Sequence, residues 1–378
     1  IRGKLQHRVF NNMPIRLINL TTPEMQLMER SAVLEYLTSE MNSVTEDDIQ
    51  KEANHAGMSS ASADKIRGRI VDRMVEEKTR FAILSHTWGK DEPSYKDLKK
   101  YRNLVGQGYE KLKKFCEVAY KEYGVEFAWA DTVCIDKTSS AELDESIRSM
   151  FKWYESAYIC IAYLAETTSL DDMPADRWFT RGWTLQELLA PRRMKFYAGD
   201  WAPLTSMPNE KGYDRLQPLE KADPACGSIL NAVHQATTIS MRQIHDFRPR
   251  VDKDIAMRMS WVAKRDTTRG EDTAYCMMGI FGVSISIAYG EGPQHAFFRL
   301  FKAILDISND PDIFNWAGEP IRPDVHPSRM LPSSPECYLS HQRISHNNQR
   351  EFEESVVEPP TLTSAGLRMR VVVVPVDL

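Results

Sequence analysis

Residues 81–89 read FAILSHTWG. Four apolar side chains run into a hydroxyl, an imidazole, a second hydroxyl and an indole, and the stretch closes on glycine. An apolar run this short, stopped by a polar turn, reads as a buried strand over Phe81–Ser85. Downstream of it the sequence alternates in period. Tyr109–Tyr123 sets Leu112, Phe115, Cys116, Ala119 and Tyr120 on one face, the spacing of an amphipathic helix. Phe127–Ile135 is aromatic and β-branched with no helical period, and reads as a second strand. Ser139-x-x-Glu142 is a capping box, with Leu143, Ile147, Met150, Phe151 and Tyr154 as the stripe behind it. Tyr158–Leu164 reads as strand, the stretch around Trp183–Leu189 as helix and Met194–Tyr197 as strand. Strands separated by helices of this length predict an α/β fold with a parallel sheet covered on both faces. Ligands in such sheets bind at the carboxyl ends of the strands, which directs attention to Ser85, His86 and Trp88.

Working outward, residues 1–12 are polar and basic and read as a leader or cloning remnant. Met13 opens MPIRLINLTT, which reads as a start followed by a strand. Residues 23–80 read as a charged insertion with helical patches at Glu24–Leu37 and Ala63–Glu77. The first domain is placed at 13–205. Residues 206–228 read as a loop, and Ile229–Arg265, Asp272–Phe281 and Gln294–Ile307 as helices of a mainly helical section over 206–318. Residues 319–378 are rich in Pro and Ser, then turn β-rich at LTSAGLRMRVVVV.

Composition narrows the function. Apolar residues are 42% and charged residues 27%, the balance of a globular protein in water, and the net charge of −5 leaves no footprint for nucleic acid. The longest uniformly apolar run, Val371–Val374, is far too short to span a bilayer. The six cysteines have no C-x-x-C spacing, which argues against a disulfide framework or a zinc site and suits a reducing cytosol.

Each motif supports a bland reading beside a functional one. Ser85 and His86 are adjacent on an extended chain, so they point to opposite sides and cannot pair as nucleophile and base. No G-x-S-x-G elbow is present. Local turn chemistry accounts for them as well as a ligand does. In WADTVCID (129–136), Asp131 and Asp136 are five apart and fall on opposite faces of a regular strand. Asp136 at the strand's end suits either a helix-start acid or a site residue, and Asp131 in mid-strand requires a partner. In RWFTRGWTLQEL (177–188), Trp183 and Glu187 share a helix face, and an indole beside a carboxylate raises its pKa toward acid–base work. An ordinary exposed glutamate fits the same spacing. TTRGEDTAY (267–275) and Tyr289-Gly290-Glu291-Gly292 read as helix-start and turn chemistry.

Taken in order, FAILSHTWG, WADTVCIDK, MFKWYESA and RWFTRGWTLQELLAP resemble the fungal heterokaryon-incompatibility (HET) domain. TTRGEDTAYCMMGIFGV, YGEGPQHAFFRL and DIFNWAG extend the resemblance over residues 81–318. It implies a flavodoxin-like sheet related to Toll/interleukin-1 receptor (TIR) domains, and a role in non-self recognition and cell death. Enzymatic TIR domains cleave NAD at the nicotinamide–ribose bond with one glutamate in a W-C-x-x-E-L pattern. W-T-L-Q-E-L here carries that role to Glu187, with Thr184 in place of the cysteine. NAD would then be substrate rather than cofactor. The resemblance further implies substrate contacts at Ser85, His86, Trp88, Asp136 and Trp183, self-association on activation, and an unidentified recognition partner. A HET domain signalling by self-association without catalysis is the alternative. No phosphate-binding G-x-x-x-x-G-K-[ST] loop is present.

Overall fold

The computed structural model describes residues 1–22, 24–42, 63–211, 224–340, 360–363 and 366–368. The chain forms two compact units. The first comprises 1–170 and 191–229, the second 171–190 and 230 onward. This division differs from the boundary expected at 205, because segment 171–190 packs within the second unit.

In the first unit, α1 (Arg2–Asn12) precedes β1 (Arg16–Asn19), β2 (Leu27–Glu29), α2 (Arg30–Asn42) and α3 (Ala63–Lys78). Residues 2–12, expected as a leader, are part of the fold: Leu5 and Val9 have no exposed surface and α1 packs on α2, α3 and α7 (Ser140–Ser156). Within the expected insertion, 43–62 lies outside the described residues.

β3 (Phe81–His86), α4 (Tyr95–Lys100), α5 (Gln107–Tyr123), β4 (Phe127–Trp129), α6 (Asp131–Cys134), α7, β5 (Ile159–Tyr163) and β6 (Met194–Tyr197) complete the first unit. The sheet runs β2-β1-β4-β3-β5-β6. β4, β3, β5 and β6 are mutually parallel, whereas β1 is antiparallel to both β4 and β2. The sheet is therefore mixed and mostly parallel. All six residues of β3 are buried, as a strand between two parallel neighbours requires.

β4 is shorter than the expected Phe127–Ile135. The Ala130 carbonyl accepts from Cys134 N–H at 2.9 Å, so the chain winds into the one-turn α6 directly after Trp129. The capping box at Ser139 is half made. Ser139 Oγ accepts from Glu142 N–H, but the Glu142 carboxylate instead accepts from Asp136 N–H (2.7 Å) and from Arg16 (2.9 Å). Trp129 packs edge-on against Trp153 and Tyr154, and the Tyr154 hydroxyl donates to the Leu84 carbonyl at 2.9 Å, tying α7 to β3.

The outer edge of β6 is closed by its own chain. Met194 N–H donates to Asn209 Oδ1 (2.9 Å), Glu210 N–H donates to the Met194 carbonyl (2.7 Å) and Phe196 N–H donates to the Glu210 carboxylate (2.7 Å). Lys195, itself buried, reaches the same carboxylate at 2.9 Å and supplies its counter-charge.

The second unit is built from short helices: α8 (Thr184–Leu189), the later part of α9 (Pro224–Thr237), α10 (Met241–His245), α11 (Ile255–Ser260), α12 (Asp272–Tyr275), α13 (Met278–Phe281) and α14 (Pro293–Leu305). The stretch Ile229–Arg265, expected to be helical, is divided among α9, α10 and α11. Thr238 has a positive φ of 61°, and Ser240 starts a new helix with a complete capping box to Gln243. α14 buries Phe297, Leu300, Phe301 and Ile304 at helical spacing. Near the C-terminus β7 (Thr361–Thr363) and β8 (Gly366–Arg368) form an antiparallel pair. The rest of the expected β-rich segment lies outside the described residues.

Candidate functional site

The crossover after β3 runs to β4 on one side, and the next returns to β5 on the other. The strand order thus reverses between β3 and β5, and the last residues of these strands, His86 and Tyr163, sit side by side in register. Doubly wound sheets take ligands near such a reversal, at the carboxyl ends of the strands.

His86 is buried, and its Nε2 lies 3.2 Å from Asp131 Oδ1. Its Nδ1 lies 3.8 Å from Glu92 Oε1 and has no hydrogen-bond partner among the described residues. The other Asp131 oxygen accepts from the Trp88 indole N–H at 2.9 Å. Asp131 therefore begins α6 rather than standing in mid-strand, and its required partners are the imidazole and indole of the first motif. Burial pushes its carboxyl up, but His86, Lys137 and the Trp88 N–H outweigh this and hold it at about 2. Trp88 is 50% exposed, and Lys137 Nζ stands 3.5 Å from its ring centroid. Lys111 of α5 pairs with Glu92 and donates to the Thr87 carbonyl at 3.3 Å. Glu92 also accepts from Gly89 N–H at 2.8 Å, which closes the turn.

Of the expected residues, Trp88 and Asp136 line one open cleft with Glu92, Tyr95, Ile135 and Lys137. Asp136 accepts from the Thr138 hydroxyl (2.6 Å) and amide (3.0 Å), which hold its carboxyl below the usual range. This is helix-entry chemistry, one of its two expected roles. Ser85 has no exposed surface and does not line the cleft. Asp131, Glu92, Lys111 and Lys137 were not singled out as binding residues by the sequence. The first was placed on a strand, and the others are charged residues whose spacing carries no signal.

Trp183 and Glu187 belong to the second unit. The loop before them runs beside Asp266: Gly182 N–H donates to the Asp266 carbonyl (2.9 Å), and Asp266 N–H donates to the Thr180 carbonyl (2.6 Å). A Cβ on Gly182 would stand 2.5 Å from Thr267 Cγ2, so the approach requires glycine. Trp183 heads α8, and its indole hydrogen-bonds Asp272. Tyr289 donates its hydroxyl to the same carboxylate at 2.8 Å, while burial pushes the Asp272 carboxyl up. Glu187 is 8% exposed, not the exposed glutamate of the bland reading. Arg265 is buried, donates to the Arg181 carbonyl (2.9 Å) and Thr184 Oγ1 (3.1 Å), and is lowered to about 10 by burial against the pull of Cys276 and Glu187.

Residues 81–177 match the profile of the heterokaryon incompatibility (HET) protein family. The stretch that holds the cleft thus carries the HET pattern. It is also 40% identical over 238 residues to vegetative incompatibility protein HET-E-1 of Podospora anserina, covering 59% of this chain and 16% of that protein. No solved structure matches. The HET match spans Ser85, His86, Trp88, Asp131 and Asp136 and ends before Trp183 and Glu187. Among the described residues, no helix is long and apolar enough to cross a membrane.

The low carboxyl pKa of Asp131 has a measurable consequence. A group held at about 2 against ~3.9 unfolded stabilises the fold fully above about pH 4, and that contribution is lost as pH falls through 2. With the Asp131 side chain 24% exposed, the effect is on the order of 1–2 kcal/mol at neutral pH. Urea midpoints at pH 7 and pH 2.5 should show Asp131→Asn less stable than wild type at pH 7. The gap should narrow at pH 2.5; a constant gap would mean that the ionised carboxylate is not what stabilises the motif.

Proposed function

We propose that this chain is the effector module of a vegetative incompatibility system and acts by hydrolysing NAD to nicotinamide and ADP-ribose. The observation that carries the reading is the cleft of the first unit. Beyond the carboxyl ends of β3 and β4 it offers an exposed indole, Trp88, whose N–H is fixed by an ionised carboxylate, Asp131. An indole held this way suits stacking on a flat heteroaromatic ring. His86 and Asp136 are the neighbouring polar groups proposed to contact the nucleotide.

Nicotinamide leaves a cationic pyridinium as a neutral molecule and needs no proton. The barrier is the oxocarbenium-like ribose, which a carboxylate stabilises by its charge or by holding the ribose hydroxyls. Water then adds to the ribose and releases one proton. The resemblance of W-T-L-Q-E-L to the enzymatic TIR pattern carries this role to Glu187, with Trp183 at the head of the same helix.

The test is to incubate the full chain with NAD and follow nicotinamide by chromatography. Nicotinamide and ADP-ribose should appear in equal amounts, and Trp88→Ala should raise KM about tenfold with little change in kcat, the worth of one stacked ring. A second reading, signalling by self-association without catalysis, is favoured by the burial of Glu187 beside Arg265. Absence of nicotinamide release from concentrated, self-associated protein would select it.

A further inference from the structure

The amino ends of the parallel strands carry a second feature. Arg80, Tyr158 and Arg193 each immediately precede a strand, namely β3, β5 and β6, which are neighbours in the sheet. Ladder bonds fix their register: Tyr158 N–H donates to the Phe81 carbonyl and Cys160 N–H to the Arg193 carbonyl, both at 2.9 Å. The Tyr158 ring is thereby flanked by two guanidinium groups, their carbons 4.4 Å (Arg80) and 4.3 Å (Arg193) from its centroid. Stacking holds both forks flat and leaves N–H edges for other partners.

These residues line one groove together with Arg8, Lys152 and Arg192. Five cations thus meet two lining carboxylates, Glu76 and Glu155, in a chain whose net charge is −5. Glu155 is taken by Lys152 at 3.1 Å. Arg8, Arg192 and Arg193 make no salt bridge to any carboxylate among the described residues. Arg80 has only a 3.9 Å approach to Glu77. Cations gathered without counter-charges repel one another, and an anion in the groove relieves that repulsion.

We propose that this groove is an oligophosphate-binding site, separate from the cleft at the carboxyl ends of the strands. Stacked, planar arginines match phosphate oxygens two at a time, which compact ammonium groups do not. The concave shape suits a short chain of phosphates rather than a flat anionic surface. Tyr158 is a positioning residue: it sets the two forks and does not itself meet the ligand's charge.

Inorganic tripolyphosphate titrated into the full chain by calorimetry should bind saturably, one per chain, and weaken steeply with salt. Arg192→Glu is exposed and unstacked, so folding should survive. Affinity should fall at least ~10-fold, because a repulsion replaces a charge-assisted hydrogen bond. Arg193→Lys keeps the charge but loses the stacked fork, and affinity should fall several-fold. The proposal fails if tripolyphosphate does not saturate by about 1 mM at low salt, above the range of specific small-ligand sites. It fails equally if Arg192→Glu leaves the affinity unchanged, or if phosphatidylserine vesicles bind where tripolyphosphate does not. Near-UV circular dichroism of both variants confirms that the fold persists.

Discussion

Glu187→Gln is expected to lower nicotinamide release from NAD about 10²–10³-fold and to leave KM within a few-fold of wild type. Glutamine keeps the shape and much of the hydrogen bonding but removes the negative charge that the cationic ribose requires. Loss of one group aimed at charge that develops in the transition state costs about 2.7–4 kcal/mol. The competing account makes Glu187 only a counter-charge for the buried Arg265. In that case the same substitution removes a negative charge from the surroundings of a buried cation and lowers stability rather than rate. Urea midpoints measured beside the rates separate the two. A large loss of rate with a near-native midpoint supports catalysis. Full activity with a collapsed midpoint would assign Glu187 to structure.

Gly108→Ala should destabilise the first unit by about 2 kcal/mol, against the intuition from helix propensity. Gly108 lies in the first turn of α5, where alanine alone would gain about 1 kcal/mol. A Cβ there, however, would lie 2.8 Å from Glu92 Cα and from the Asp91 carbonyl carbon, and closer still to the Asp91 oxygen. These are backbone atoms and cannot rotate aside, so the loop must move, at an overpacking cost of about 1–3 kcal/mol. Moving it also breaks the bonds of Glu92 to Gly89 and Lys111. NAD turnover should fall with stability, because this loop lines the cleft. A urea midpoint equal to or above wild type would show that the loop gives way freely.

The alternation of strands and helices was legible because strand and helix periods differ plainly between Phe81 and Tyr197. The direction of β1 was not, since a short buried strand shows the same apolar pattern whether it runs parallel or antiparallel to its neighbours. β4 was read six residues too long for a related reason: Val133, Cys134 and Ile135 are buried on and just after a one-turn helix, as they would be on a strand. That error hid Asp131. Its partners His86 and Trp88 lie more than forty residues away, so no spacing rule could join them, although a lone carboxylate in an apolar stretch signalled that a partner was needed. In the second unit, the Trp183–Asp272 bond joins residues almost ninety apart, one read on a helix face with Glu187 and the other as a helix-start acid.

The closed edge of β6 also bears on how copies of this chain can meet. An unpaired strand edge is a template for another chain, and adding a strand is among the easiest routes to self-association. Here Asn209 and Glu210 occupy the amide donors of Met194 and Phe196 that a docking strand would need. Displacing them would strip the buried Lys195 of its carboxylate. Polymers joined through that edge are therefore disfavoured by the fold itself. Any self-association of this chain would then use other surfaces, and a peptide mimicking β6 should not compete with it.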